Sequence, residues 1–461
     1  MREQPGASEQ RIEKCETSLV TTNGAIYEEI LGNQTHEALF IDKTGELFDS
    51  LEIEATMYIP IPSSDSALQT GSIKLSSGLI DYGTTQKLIE EIQSHIHRYL
   101  EVSPRFEKLA AYYVLLTWIY DRLDTVPYLR ALGDTGTGKT RFLDVIGGLC
   151  YKPMFLSGAV TPAPIYRMIS RWHGTMIIDE ADMYKSNETN EIITILNCGN
   201  QKGRPVIRCQ KDNPDNIQHF STYGPKVIAT RKTFTDKALE SRCITEIMKP
   251  RTREDIPINL PRKFHEEQTI LRNKLLKWRL DNYTKIDTDK ALEIDLGMRL
   301  EPRLRQVMGY LPLLFYENPE MMRYFRETLQ TMNKDLIEER ATSYDGMIVN
   351  TILKLHEDGY IGMTASTIAH KMMETYGLER VSSQSVGRHL KSLGLKTKQK
   401  TIQGKTQRLL IWDNALMSRL RTRYQIQDNS DKIPEIPKIT DVWGVNKDKS
   451  NLIDMGKKKD A

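Results

Sequence analysis

The residues with the clearest chemistry form the run Gly-Asp-Thr-Gly-Thr-Gly-Lys-Thr, which begins at Gly133. This run matches G-x-x-x-x-G-K-[ST], a loop that wraps the phosphates of a nucleoside triphosphate. Glycines allow a tight turn whose backbone N–H groups form an anion cradle at a helix N-terminus. Lys139 would reach the β- and γ-phosphates, and the Thr140 hydroxyl would bind Mg²⁺. The run predicts a site for ATP and Mg²⁺ made of Gly133, Asp134, Thr135, Gly136, Thr137, Gly138, Lys139 and Thr140.

The flanking sequence decides between this site and a glycine-rich turn that binds nothing. Residues 126–132 are mostly apolar and predict a buried strand, and residues 141–149 predict the helix that follows it. A strand, a glycine-rich loop and a helix in this order are the context in which the loop binds phosphate. The phosphate-binding interpretation is therefore favoured.

Hydrolysis needs a second acidic site, and one follows at the end of a short apolar stretch. Asp179 and Glu180 lie there, with Asp179 forty residues beyond Lys139. One predicted strand (153–157) and one predicted helix (162–172) separate the two motifs. Asp179 is placed to hold Mg²⁺ through water, and Glu180 is placed to act as a general base toward the attacking water. The pair predicts an ATP hydrolase.

Bulk composition limits the other functional classes. The chain has 461 residues, enough for about three domains. Its formal net charge is +3 and its pI is about 8.3, so a nucleic-acid surface must be local. The five cysteines include no C-x-x-C pair, which argues against zinc and disulfides and fits the cytoplasm. The longest apolar run, 109–120, is too short for a membrane span, so no membrane partner is expected.

Changes in composition along the chain predict its organisation. Residues 63–83 are rich in Ser, Gly and Thr and predict a linker or loose loop. The predicted order is a disordered segment 1–22, an N-terminal α+β segment 23–84, an ATPase core 85–250, a helical region 251–339, a helix-and-hairpin unit 340–413 and a disordered tail 425–461.

Further elements follow the acidic pair. A predicted helix (187–196) precedes two predicted strands (204–208 and 217–223), which are joined by a polar turn suited to a hairpin tip. The next apolar strand ends at Thr230, which could contact the γ-phosphate or the attacking water. Arg242 then stands immediately before another apolar strand.

This order of motifs resembles the AAA+ family, in which Thr230 would be sensor 1 and Arg242 the arginine finger. A hairpin just before sensor 1 is similar to the helicase branch, which includes minichromosome-maintenance and superfamily 3 viral helicases. In that branch the hairpin lines a central pore and carries a basic residue that grips DNA. Lys211 at the tip matches that role, with His219 and Lys202 as weaker candidates.

The resemblance also implies an assembly. Arg242, in a Glu-Ser-Arg context, is similar to a finger that acts across a subunit boundary, and Arg303 is the candidate sensor 2 arginine. An arginine supplied by a neighbour requires a ring or filament, here a homo-hexamer. Two alternatives remain open: Arg242 as a surface ion-pair residue, and the Lys211 turn as a solvated loop.

The resemblance covers roughly residues 85–413 and is nearest to replication helicases of phages, plasmids and genomic islands. The chain departs from the minichromosome-maintenance pattern in two respects. It shows no zinc-binding N-terminal domain, and it has no long insertion between the second strand and the acidic pair. An N-terminal collar is therefore not implied.

The C-terminal unit has its own signature. Three predicted helices (343–357, 364–376 and 382–393) precede a predicted hairpin that turns at Gln403-Gly404, an arrangement that resembles a winged helix. Gln384 and Ser385 are candidate base-edge readers in the third helix. A winged helix used for protein contacts is the alternative. Between residues 381 and 411 there are no acidic residues and seven basic ones, the candidate DNA-binding set Arg388, Lys391, Lys396, Lys398, Lys400, Lys405 and Arg408.

Together these features predict an α/β protein with an AAA+ P-loop core, a small N-terminal α+β domain and a C-terminal winged helix. The predicted function is an ATP-dependent DNA helicase of a mobile-element replication system. It would pass single-stranded DNA through a ring pore, bind duplex at the winged helix, and work with a primase or polymerase. The alternatives are an initiator or loader that does not unwind processively, and a protein-remodelling ATPase. The last would need an aromatic pore loop, and none is evident.

Overall fold

The computed structural model describes residues 12–32, 35–156, 160–179, 187–210, 213–297, 299–402, 405–424 and 426. The chain divides into two compact units, residues 1–330 and 331–461. Among the described residues, no helix combines the length and the apolar character that a membrane span requires.

Two small sheets form the N-terminal part of the first unit. One is antiparallel, in the order β2-β3-β4-β5, and in the other β7 pairs parallel with β1 and antiparallel with β6. The strands are β1 (Ile12–Cys15), β2 (Ser18–Val20), β3 (Ile26–Leu31), β4 (Ala38–Ile41), β5 (Leu47–Phe48), β6 (Leu51–Ile53) and β7 (Thr56–Ile59). A short helix, α1 (Ser66–Gln69), follows them.

The prediction of disorder over 1–22 is wrong for residues 12–20, which form β1 and β2. Their hydrogen-bond partners lie elsewhere in the chain, since β1 pairs with β7 and β2 pairs with β3. A polar local composition does not reveal such pairing. Residues 1–11 lie outside the described part of the chain.

A five-stranded parallel sheet forms the centre of the first unit, in the order β14-β8-β13-β10-β9. Its strands are nearly continuous apolar runs, as expected for a sheet buried on both faces. The elements are α2 (Thr85–Tyr99), α3 (Pro104–Thr117), β8 (Tyr128–Leu132), α4 (Lys139–Phe142), β9 (Met154–Leu156), α5 (Pro162–Trp172), β10 (Met176–Ile178), α6 (Asn187–Cys198), β11 (Val206–Gln210), β12 (Asn213–Phe220), β13 (Lys226–Thr230), α7 (Lys237–Glu240) and β14 (Cys243–Ile247).

Because all five strands run in the same direction, the sheet has two distinct edges. We call the edge where the strands end the carboxyl edge, and the edge where they begin the amino edge. The antiparallel hairpin of β11 and β12 is not part of this sheet. The unit is completed by α8 (Arg262–Asn282), α9 (Lys290–Glu293), α10 (Pro302–Met308) and the start of α11 (Pro319–Thr342).

The segment predicted as a linker, residues 63–83, instead packs against β9, the outermost strand of the parallel sheet. Ile73 and Leu75 are buried in the same apolar cluster as Met154 of β9. The Phe155 N–H donates to the Ser72 carbonyl at 2.7 Å. The linker prediction is wrong because Ile73 and Leu75 pack inward. The Ser, Gly and Thr residues around them give the stretch a polar composition that hides these two contacts.

A buried ionic cluster joins the N-terminal strands to the core. Arg279 of α8 is fully buried and binds Glu28 of β3 at 2.7 Å and Asp121 at 2.8 Å. Lys152 adds a second cation, 3.0 Å from Glu28. Burial acts to raise the pKa of Glu28, but the Arg279 guanidinium and the Lys152 ammonium hold it below its usual value. The N-terminal strands therefore belong to the first unit together with the parallel sheet rather than to an appended domain.

The second unit is a small bundle of helices with one hairpin. Ile348, Ile352, Ile368, Val386 and Leu390 lie at the centre of its core. Its elements after α11 are α12 (Tyr344–Glu357), α13 (Ala365–Tyr376), α14 (Ser383–Ser392), β15 (Thr397–Ile402), β16 (Lys405–Leu410) and α15 (Asn414–Tyr424).

This unit extends beyond its predicted limit at residue 413. Met417 and Leu420 of α15 are buried in the core of the unit, so this helix completes it. The predicted turn at Gln403-Gly404 and the predicted tail from 427 onward lie outside the described residues.

Candidate functional site

The loop after β8 has the geometry of a phosphate cradle. It leaves the strand at Gly133 and enters α4 at Lys139. Gly136 and Gly138 adopt φ values of +85° and +88°, a left-handed conformation that glycine reaches without strain. A Cβ atom at Gly133 would lie 2.8 Å from the Met248 carbonyl oxygen, so this position has no room for a side chain. The glycine spacing thus follows from backbone geometry and from close packing.

The Lys139 ammonium lies inside this loop. Its side chain is only 7% exposed, and Nζ donates to the carbonyl oxygens of Gly133 at 2.8 Å and Asp134 at 2.7 Å. The Thr137 hydroxyl donates to the Asp134 carbonyl at 2.8 Å and so fixes the same turn. The loop holds a positive charge among backbone groups, which is what binding a polyphosphate requires.

The predicted magnesium-binding pair is brought together at the carboxyl edge. The Thr140 hydroxyl donates to Oδ2 of Asp179 at 2.9 Å. Asp179 follows β10 and Thr140 lies in α4, so their contact depends on the packing of α4 against the sheet. A hydroxyl and a carboxylate are hard oxygen ligands of the kind Mg²⁺ prefers. Glu180, the predicted general base, lies outside the described residues.

Thr230 lies between these groups at the end of β13, the strand that separates β8 from β10. Its carbonyl oxygen accepts from the Gly133 N–H at 3.1 Å, which ties it to the loop. Its hydroxyl is buried and, among the described residues, has no hydrogen-bond partner. Such groups are rare in folded proteins and indicate a missing partner, here a phosphate oxygen or a bound water.

These residues fit a nucleoside triphosphate with Mg²⁺. The loop supplies N–H groups and an ammonium for phosphate, and Thr140 and Asp179 supply oxygen for the metal ion. Across the described residues, no cluster of three or more His, Cys, Asp or Glu side chains could hold a metal by itself. A metal at this site would therefore also need oxygens from nucleotide and water, as is usual for Mg²⁺.

Arg242 lies at the other edge of the sheet. In the parallel pairing of β14 with β8, Cys243 is opposite Tyr128 and Ile247 is opposite Leu132. Arg242 therefore stands at the amino edge, about 13 Å of strand away from the phosphate loop of its own chain. Its guanidinium donates to Asn200 Oδ1 at 2.8 Å and also to the Ala238 carbonyl. Burial lowers its pKa from the ordinary arginine value.

Arg303 lies at the same edge, on α10, and lines a small cavity together with Arg242 and Asn200. Its guanidinium donates to Gln306 Oε1 at 2.7 Å. The positive charge of Arg303 further lowers the pKa of Arg242. Two arginines that the sequence separates by sixty residues thus form one positive site, remote from the phosphate loop of the same chain.

The β11–β12 hairpin is present, but its tip is not described. Lys211, the predicted DNA contact, lies outside the described residues. On one face of the hairpin, Arg208 pairs with Glu191 of α6 and lies over the Tyr166 ring of α5 at 5.3 Å. The other face is exposed and carries Ile207, Cys209, Ile217 and His219. Lys202, the remaining candidate, donates from Nζ to the Asp121 carbonyl at 3.1 Å.

The basic residues of the second unit lie on its surface. Arg388 and Lys391 are exposed on α14, and the side chain of Lys405 lies outside the described part of the chain. His389 of the same helix is half-buried, and its Nδ1 lies 2.6 Å from an Asp345 carboxylate oxygen of α12. The remaining exposed members are Lys396, Lys398, Lys400 and Arg408 of the hairpin region.

Sequence reasoning missed three residues that shape these sites: Met248, Asn200 and Lys226. Met248 closes over Gly133, Asn200 holds Arg242, and Lys226 is a fully buried lysine at the start of β13. Lys226 could have been noticed in the sequence, because a lysine is unusual at the start of an apolar strand. For Met248 and Asn200, the neighbouring sequence gave no indication of their role.

No family model matches the sequence, and no curated protein is similar to it. Among solved structures, the chain is similar to SCCmec type IV Cch, an active helicase, with 10% identity and a TM-score of 0.45 over 89% of this chain and 80% of that one. It is also similar to the NrS-1 C-terminal region, with 8% identity and a TM-score of 0.37 over 84% and 96%. JCV helicase matches with 13% identity and a TM-score of 0.24 over 50% and 65%.

With identities of 13% or less and TM-scores below 0.5, these matches carry no argument about the family, the ligands or the activity of this chain. The functional assignment rests on the geometry of the sites.

Proposed function

We propose that this protein is an ATP-dependent DNA helicase or translocase of a mobile-element replication system, acting in the cytoplasm. The observation that supports it most strongly is the division of the site between two edges of one sheet. Lys139, Thr140, Asp179 and Thr230 lie at the carboxyl edge. Arg242 and Arg303 lie together at the amino edge. In this arrangement an Arg242 that acts on ATP would act on the nucleotide of a second copy.

Each group then has a role in phosphoryl transfer. The loop N–H groups and Lys139 would bind the β- and γ-phosphates, and Thr140 and Asp179 would hold Mg²⁺, whose charge would be available to neutralise the phosphate oxygens. Glu180 takes a proton from the attacking water. The buried Thr230 hydroxyl contacts the γ-phosphate or that water. Arg242 of a neighbouring copy stabilises the charge that develops on the transferred group, and Arg303 assists it from the same edge.

The same geometry leads to a ring. Because the carboxyl edge of one copy must face the amino edge of the next, the contact is head-to-tail, which builds either a ring or an open filament, and we propose a closed homo-hexamer. Hairpins from all copies would line its pore, with Lys211 contacting single-stranded DNA. The second unit, as a winged helix, would bind duplex with α14 in the major groove and its basic hairpin along the phosphates. A primase or polymerase is the expected partner in replication.

A second candidate is an initiator or loader that melts origin DNA without processive unwinding. The exposed basic surface of the second unit favours it, because duplex binding is central to that activity. Both candidates hydrolyse ATP and bind duplex. They differ in strand displacement.

Gly387 provides a direct test of duplex binding by α14. It occupies the helix interior, where glycine costs about 1 kcal/mol relative to alanine, and an added Cβ would meet nothing within 4 Å. Gln384, Arg388 and Lys391 lie on the same side of the helix. Packing around Gly387 in the described part of this unit would admit a larger side chain. We therefore propose that glycine at this position lets the DNA backbone approach the helix closely.

We expect Gly387→Ala to raise the melting temperature of the protein, because alanine favours the helix. We expect the same change to weaken duplex binding about 10-fold, because the added methyl group would keep the DNA further from the helix. Fluorescence anisotropy with labelled duplex and thermal denaturation measure them. Lys391→Ala, as a comparison, should flatten the salt dependence of binding by about one unit of slope. Unchanged or tighter duplex binding by Gly387→Ala would argue for the protein-contact interpretation of this unit.

Strand displacement on a forked duplex tests the proposal as a whole. Wild type should unwind the fork with ATP, and Glu180→Gln and Lys211→Ala should not. Lys211→Ala should still hydrolyse ATP, because strands β11 and β12, which flank it, are not part of the sheet that carries the phosphate loop. If wild type hydrolyses ATP in response to DNA but displaces no strand, the initiator or loader is the correct assignment.

A further inference from the structure

A short connection in the first unit touches both the hairpin and the arginine at the amino edge. Residues 199–202, which we call the junction loop, run from the end of α6 toward β11. Its backbone is tied to the chain just before β8, since the Val126 N–H donates to the Asn200 carbonyl at 2.9 Å and the Lys202 N–H donates to the Asp124 carbonyl at 2.9 Å. These two hydrogen bonds place the junction loop at the amino edge.

Lys226 connects the junction loop to the base of the hairpin. Its buried ammonium donates to the carbonyl oxygens of Gly199 at 3.0 Å, Thr222 at 2.8 Å and Gly224 at 2.8 Å. Gly199 belongs to the junction loop, and Thr222 and Gly224 belong to the segment leaving β12. A single side chain thus holds the two chain segments that bracket the hairpin. The Gly224 N–H adds a direct bond to the Gly199 carbonyl at 3.1 Å.

Asn200 connects the junction loop to Arg242. Its Oδ1 accepts from Arg242 Nε at 2.8 Å, and the side chain is only 8% exposed. A buried amide has few alternative rotamers, so it directs the guanidinium along one line. The second contact of Arg242, to the Ala238 carbonyl, comes from its own local turn. Asn200, by contrast, belongs to the junction loop, which Lys226 connects to the base of the hairpin.

We propose that Asn200 is a positioning residue that aims Arg242 at the nucleotide of the adjacent copy, and that Lys226 makes this aim depend on the hairpin. The proposal rests on the function proposed above, in which Arg242 acts across a subunit boundary. DNA that displaces the hairpin would move Thr222 and Gly224, and through Lys226 the junction loop. The guanidinium would move with Asn200, which would link DNA in the pore to hydrolysis at the boundary.

Mixed assemblies test this with full-length protein. Arg242→Ala subunits keep their own phosphate loop but offer no arginine, and Glu180→Gln subunits offer the arginine but do not hydrolyse. Activity in a mixture arises only where an Arg242→Ala site faces a Glu180→Gln neighbour. Adding Asn200→Ala to the Glu180→Gln subunit should lower the kcat of this restored activity about 10- to 100-fold at unchanged KM.

Matched variants separate positioning from general damage. Asn190→Ala, at an exposed site on the neighbouring helix α6, should leave the restored activity unchanged. Asn200→Asp keeps the acceptor oxygen toward Arg242 and should recover most of the activity. Lys226→Met in the Glu180→Gln subunit should preserve the restored activity without DNA and remove its stimulation by single-stranded DNA.

The outcomes are distinguishable. If the Asn200→Ala subunit restores activity as well as its parent, the positioning role is overturned while the shared ATP site stands. If the parent mixture restores nothing, both proposals fail together. If Lys226→Met leaves DNA stimulation intact, the link to the hairpin is overturned. Sedimentation of each mixture establishes that the variants assemble. If the Asn200→Ala subunit does not assemble, the Asn200→Asp subunit is used instead, and a loss of restored activity in a mixture that contains it overturns the positioning role.

Discussion

Replacing Arg242 by Ala is expected to lower kcat for ATP hydrolysis about 10³-fold or more, with little change in nucleotide affinity. The arginine lies at the amino edge, at the opposite end of β14 from its own phosphate loop. Its hydrogen bonds to Asn200 and to the Ala238 carbonyl lie at the amino edge and not at the phosphate loop of the same copy. Its effect is confined to the charged transition state of a neighbouring site, where a guanidinium contributes most.

Steady-state hydrolysis and titration with a fluorescent nucleotide measure these two quantities. Arg262→Ala is the matched control, because Arg262 is 94% exposed and pairs with a nearby glutamate on its own helix. Normal hydrolysis by the Arg242→Ala protein would return Arg242 to the surface ion-pair interpretation. If Arg242→Ala weakens nucleotide binding and leaves kcat unchanged, Arg242 does not act on the transition state at a neighbouring site.

Replacing Lys139 by Ala is expected to reduce hydrolysis about 10²–10³-fold and to weaken nucleotide binding as well. The ammonium is enclosed by the loop and held at 2.7–2.8 Å from two carbonyl oxygens. Lys139→Arg should fail to restore activity, because a planar guanidinium does not fit a space shaped for a compact ammonium. The double effect on binding and hydrolysis distinguishes this residue from Arg242.

Lys263→Ala serves as the control for Lys139, since Lys263 is 73% exposed on α8. Chelation of Mg²⁺ by excess EDTA should also stop wild-type hydrolysis, because Thr140 and Asp179 are proposed to hold the ion beside the phosphates. A Lys139→Ala protein that hydrolyses ATP at the wild-type rate would exclude this loop as the catalytic site.

Much of the local structure could be predicted from the sequence. The apolar stretch before the loop is strand β8, and the predicted hairpin after α6 is β11 and β12. The three predicted helices of the second unit are α12, α13 and α14. These elements carry their own signals: apolar periodicity, capping residues and turn residues, all within a few positions of one another.

The incorrect predictions share a physical cause. Residues 12–20 and 63–83 look like disorder or linker because their stabilising partners are remote in sequence. β1 pairs with β7, and Ile73 packs with Met154. The ionic cluster around Arg279 likewise joins residues more than a hundred positions apart. Local composition contains no record of such contacts.

The sequence by itself determined which chemical groups this protein has and in what order: a phosphate loop, an acidic strand end, a threonine, an arginine and a basic C-terminal stretch. Only the tertiary structure decided which of them meet. Insertion of β13 between β8 and β10 puts Thr230 between the loop and Asp179. The parallel pairing of β14 with β8 sends Arg242 to the opposite edge, beside Arg303. Chemical identity is a property of single residues, whereas proximity depends on the pairing and packing of segments far apart in the chain.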